Sequence, residues 1–256
     1  MNDTVNDGST EAVTYESREG VAIISINRPD RMNAIGPEVE AGLARAFRRL
    51  NDSEDDRVGI LTGTGSKAFS AGKDMHSEAP PDYRSFTPGV GVALDKPLIA
   101  AVSGWCVGGA IVLVLMCDLC VVTEDAKFTY PEAKLGFAGG MIASLAARVP
   151  HKIAMELMLL GETISAERAY QVGFANRIVP PGQHVDAAMV MARRLAGNAP
   201  LVMGMLKRMA AATIPRSPVE TAGHAWRENE RVFRSADFQE GLASFKQKRP
   251  PQFKGA

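Results

Sequence analysis

An excess of charge of either sign is missing from this chain. Its 29 Lys and Arg balance 29 Asp and Glu, giving a formal net charge of zero. No global field therefore draws it to nucleic acid or to an anionic membrane. No apolar run approaches membrane-spanning length. The start, MNDTVNDGSTE, holds no basic residue and no apolar segment, unlike a secretion signal. Residues 1–11 are expected to be disordered, and the protein to be cytoplasmic. Cysteine is scarce, with Cys106, Cys117 and Cys120 only. Cys117 and Cys120 are spaced like half of a zinc or redox motif, but no second pair completes it, so no metal is expected. Cys106 has no histidine near it in sequence and reads as a small buried filler.

What is present suits one compact α/β domain with a helical appendage: 256 residues, 46% of them hydrophobic. The chain is organised around residues 96–136. Leu98 to Val102 reads as a buried strand, followed by a turn at Ser103-Gly104. A second turn, Gly108-Gly109, enters an apolar helix that runs to about Met116. Main-chain N–H groups at a helix start are unpaired and lie at the positive end of its dipole. Glycine there lets a substrate approach the main chain. The same turn serves either as an oxyanion hole or as a tight packing turn between strand and helix.

The pattern of strand, glycine turn and helix also reads onto 58–78, where Val58 to Thr62 leads to Ala68-Phe-Ser-Ala-Gly-Lys-Asp74. Ahead of it, Val13 to Glu16 and Val21 to Asn27 form a hairpin. Pro37, Val39, Leu43, Phe47 and Leu50 give an amphipathic helix over about 38–50. Residues 79–95 are loop-rich, holding Tyr83, Phe86 and Val90. Further helices are expected over 151–160, after the N-cap Ser165, over 183–195, and over 199–212, 217–235 and 237–246. Phe238, Leu242 and Phe245 make one apolar stripe on the last of these.

Four stretches together resemble the crotonase (enoyl-CoA hydratase/isomerase) superfamily. They are Asn27-Arg28-Pro29 with Met32-Asn33-Ala34, residues 68–74, residues 96–136, and Leu160-Gly-Glu-Thr-Ile-Ser-Ala166. The likeness runs from about Val21 to Lys254. It implies a crotonase-like spiral of ββα repeats over 12–195 and a C-terminal helical region, 196–256, that builds a homotrimer or dimer of trimers. It implies an acyl-CoA substrate that brings its own coenzyme A, with no further cofactor. The oxyanion-hole donors would be the main-chain N–H groups of Lys73 and Gly109. Arg28, Arg31, Lys246, Lys248 and Lys254 would be candidates for the coenzyme A phosphates, and the 79–95 segment would cover the acyl pocket, with Tyr83 and Phe86.

Hydratases of the superfamily use two glutamates. Here the second matches Glu132, while the first position holds Val112, which does no acid–base work. After Gly136 the sequence also departs from the glycine-rich run that many hydratases carry. One carboxylate suffices to shuttle a proton, which implies a double-bond isomerase with Glu132 as its base. The alternatives are a hydratase with a substitute second group, a thioester or C–C hydrolase using His76, and an acyl-CoA-binding scaffold without chemistry. Asp74 reads as structuring its turn, and His76 as a helix-surface residue or a substitute acid beside the pocket.

Overall fold

The computed structural model describes residues 11–78, 81–136, 139–213 and 218–255. Residues 1–10, and Phe137 and Ala138 of the altered loop, lie outside them. The elements run β1 (Val13–Arg18), β2 (Val21–Ile26), α1 (Pro37–Asp52), β3 (Val58–Gly63), β4 (Ala68–Ser70), α2 (Tyr83–Phe86), β5 (Leu98–Val102) and β6 (Trp105–Val107). There follow α3 (Gly109–Met116), β7 (Leu119–Thr123), β8 (Lys127–Thr129), α4 (Glu132–Leu135), α5 (His151–Met155), β9 (Ile164–Ser165), α6 (Ala166–Gln171), β10 (Arg177–Val179) and α7 (His184–Ala196). The last three are α8 (Pro200–Thr213), α9 (Pro218–Phe233) and α10 (Ala236–Gln247).

The strands form two sheets. The larger has the order β1-β2-β3-β5-β7-β10 and the smaller β4-β6-β8-β9. Each of the pairs β3/β4, β5/β6 and β7/β8 gives one strand to each sheet. Their neighbours lie parallel, with Ile60 beside Ile99 and Ala101 beside Val121 in one sheet and Cys106 beside Phe128 in the other. This is the expected spiral of ββα turns.

The runs in β3 and β5 are apolar almost throughout because both faces of the larger sheet are covered. Ile24, Leu61, Ala100 and Val122 point to one core with α1 and α3. Ile23, Ile60, Ile99 and Val121, one residue out of phase, meet Ala188, Met189 and Ala192 of α7. Helix α3 is buried along Gly109 to Leu115, which explains its lack of a polar face. Ser165 caps α6 by accepting from Arg168 N–H at 3.2 Å.

One expected element is absent among the described residues: no helix spans 73–78, and the next is α2 at Tyr83. Lys73 instead bridges Ile35 in parallel, and Asp74 N–H donates to the Ile35 carbonyl at 2.9 Å. The Asp74 carboxylate takes the His76 N–H at 3.0 Å, so the segment is pinned as a turn before a helix can start. Among the described residues, no helix is long and apolar enough to cross a membrane.

Candidate active site

Two glycine turns meet beside one cavity. Gly72 has φ +75° and Gly108 φ +58°, both in the region that favours glycine. A side chain at Gly72 would collide with the Val107 carbonyl and begin 3.5 Å from the Gly109 nitrogen. The two turns therefore lie side by side. Gly109 opens α3, and Val112 follows one turn later on the same face.

Lys73, Gly109, Val112, Glu132 and Tyr83 line one cavity, together with Arg84 and Met141. Its far wall is α9, through Ala225, Trp226, Asn229 and Phe233. Asn229 ties α9 to the core by accepting from Gly140 N–H at 2.9 Å. The Arg84 guanidinium stacks 3.7 Å over the Trp226 ring and joins the segment holding α2 to α9. Sequence reasoning missed this wall. Its residues lie 93 to 101 positions beyond Glu132, and no local pattern marks which face of α9 turns inward.

Glu132 opens α4, a single turn closed by Gly136 at φ +73°. It is 3% exposed, and its Oε2 has no hydrogen-bond partner. Its Oε1 lies against Gly108, where any side chain would collide with it. Burial pushes its pKa up to about 8, and the main-chain N–H groups of Glu132 and Gly109, which reach the carboxylate, offset only part of that. Among the described lining residues it is the sole carboxylate. A group of this kind accepts a proton from a weak carbon acid near neutral pH and returns it.

Lys73 is one of the residues that line the cavity. Its pKa is lowered by burial first and then by the charge of Lys246, so α10 brings Lys246 close to this mouth. Lys248 ends α10 and Lys254 lies on the exposed tail. That tail folds back on α10, with Arg249 gripping Glu240 and Lys254 N–H donating to Asp237 at 2.7 Å.

Three expected residues take other places. Arg28 does not present its guanidinium to solvent; it binds Asp74 Oδ2 and the Ala34 carbonyl, each at 2.9 Å. Burial alone would raise the Asp74 pKa, but the His76 N–H and Arg28 hold it below the usual carboxylate value. His76 is off the cavity, exposed on the turn between Asp74 and Arg31, each 3.3 Å from its Nδ1. Phe86 is fully buried behind the wall, its ring 5.1 Å from that of Tyr83. Arg31 stays exposed. The cysteines are packing residues: burial pushes all three thiols up, Cys120 to about 12. Among the described residues, no group of three or more His, Cys, Asp or Glu could hold a metal ion.

Comparison with known proteins gives the family. The enoyl-CoA hydratase/isomerase family model matches residues 16–256. (E)-benzylidenesuccinyl-CoA hydratase of Thauera aromatica is 34% identical over 95% of this chain and 99% of its own. Carnitinyl-CoA dehydratase of Salmonella paratyphi A is 37% identical over 91% and 94%. Among solved structures, a carnitinyl-CoA dehydratase from Mycobacterium avium 104 superposes with a TM-score of 0.87 at 34% identity, over 96% of this chain and 100% of that one. With a family model spanning nearly the whole sequence and relatives matched end to end, this chain belongs to the enoyl-CoA hydratase/isomerase family of acyl-CoA enzymes.

Proposed function

We propose that the protein moves the double bond of an enoyl-CoA thioester, with Glu132 as the single acid–base group. The observation that carries this reading is the pairing of Glu132 with Val112: one proton-handling carboxylate and one inert side chain facing the same cavity. The Glu132 carboxylate takes a proton from C2 of a 3-enoyl thioester. The electron pair spreads onto the thioester oxygen, where the Lys73 and Gly109 N–H groups stabilise it. The Glu132 carboxylic acid then returns the proton at C4, leaving the 2-enoyl isomer. A base near pKa 8 suits both transfers.

Water addition or loss at the same thioester is a second reading. It is favoured by the names of the relatives, which are a hydratase and a dehydratase. Incubation with a panel of 2- and 3-enoyl-CoA thioesters in deuterated water separates the two. Deuterium entering C2 and C4 with bond migration is the outcome expected for isomerisation, whereas an oxygen adduct identifies hydration. Free coenzyme A would indicate a hydrolase, and an unchanged panel a scaffold. Either of the last two results contradicts both readings.

A further inference from the structure

The reaction above leaves one polar atom of the cavity without a task. Among the described residues the Tyr83 hydroxyl makes no hydrogen bond, although it faces an apolar space beside Glu132. Polar groups in such surroundings are ordinarily paired. The buried Oε2 of Glu132, on the same cavity, is unpaired as well. Two such atoms facing one space are what a polar substrate group would satisfy.

The position of the hydroxyl says which group. It lies directly over the α-carbon of Gly109, so closely that a side chain at 109 would overlap its oxygen. Gly109 opens α3, and its N–H points into the region that the Glu132 carboxylate also reaches. An oxygen atom that accepts the Gly109 N–H therefore comes within reach of the Tyr83 O–H. The ring is held for this task. Phe86 packs against it, Asp82 caps α2 by accepting from Arg84 N–H at 3.2 Å, and Arg84 is clamped on Trp226. We propose that the Tyr83 hydroxyl is a third hydrogen-bond donor to the thioester oxygen, and so a catalytic residue for enolate formation. This inference rests on the acyl-CoA reading of the site. Burial first, and the neighbouring Glu132 charge second, raise the phenol pKa, so Tyr83 stays a neutral donor and does not exchange its own proton.

Tyr83→Phe keeps the ring and removes only the donor. Two readouts on wild type and variant test the idea. The first is the red shift of the cinnamoyl-CoA absorption band on binding, which reports polarisation of its carbonyl. The second is deuterium exchange at C2 of the enoyl-CoA panel. Loss of one donor to an enolate oxygen should lower the exchange kcat about 100-fold. KM should stay within about 3-fold, because the interaction is made mainly in the transition state. The red shift should shrink in parallel. Equal shift and exchange in both proteins would overturn the role of Tyr83 alone, as would a loss carried entirely by KM, the mark of a mere wall. A wild type that shifts the band without exchanging is decided by the shift. A wild type that neither binds nor exchanges any thioester overturns the acyl-CoA reading and this inference with it.

Discussion

Glu132 combines 3% exposure with a proton affinity raised to about pKa 8, and both follow from where α4 begins. If its ionised form is the base, kcat/KM on the turned-over thioester should rise with pH through about 8 and then level, as a pH profile will show. A flat profile between those limits would contradict the assignment. The same shift has a stability consequence with a definite sign. The folded value lies above the ordinary 4.5, so the folded state binds the proton more tightly than the unfolded one. The resulting stabilisation is full below about 4.5 and is lost as pH rises through about 8. Denaturation of Glu132→Gln should lack this decline, and an unchanged slope would mean that another group causes it. Val112→Glu adds a second carboxylate to the cavity. Like charge should move the midpoint of the pH profile upward, and hydration of a 2-enoyl thioester is the activity to look for.

At the scale of elements, the Arg28–Asp74 pair buckles the 28–34 loop to the turn that carries Lys73. Both side chains are largely buried, at 20% and 10% exposure. Arg28→Ala strands the Asp74 charge and should cost about 2–4 kcal/mol in chemical denaturation. It should also weaken catalysis by loosening the Lys73 N–H. A loss below about 0.5 kcal/mol would make the pair ornamental, like most surface ion pairs. The buckle also shows where sequence reasoning stops. The β3 and β5 strands, the 108–109 turn and α3 were legible because their signals are local: apolar runs, paired glycines, a helix without polar residues. The segment after Gly72 was read as a helix because its restraints come from Ile35 and Arg28, about 40 positions away. For the same reason Arg28 reads from sequence as a candidate for the coenzyme A phosphates and His76 as a helix-surface group. Tyr83 could be placed near the pocket through the resemblance of its region, but its approach to Gly109 is a tertiary fact with no sequence mark.

At the scale of the whole molecule, the C-terminal helices leave apolar surface uncovered. Leu201 of α8 is 87% exposed, and Leu206, Met209 and Phe245 are more than half uncovered or at half. Of the stripe on α10, Phe238 is buried and Leu242 half-buried within the chain. Exposure of this kind marks an association surface. The exposed surface predicts association, and the resemblance implies a homotrimer or dimer of trimers as the species to look for in light scattering at micromolar concentration; a monomer there would contradict it. The most direct test of the central claim, that Glu132 alone moves the proton, is deuterium exchange at C2 of a 3-enoyl-CoA substrate, measured for wild type and Glu132→Gln side by side. The account predicts exchange with bond migration in the wild type. In the variant it predicts a fall of roughly 100- to 10,000-fold, with thioester affinity nearly unchanged because the amide keeps the shape. Exchange at the wild-type rate in Glu132→Gln would contradict it.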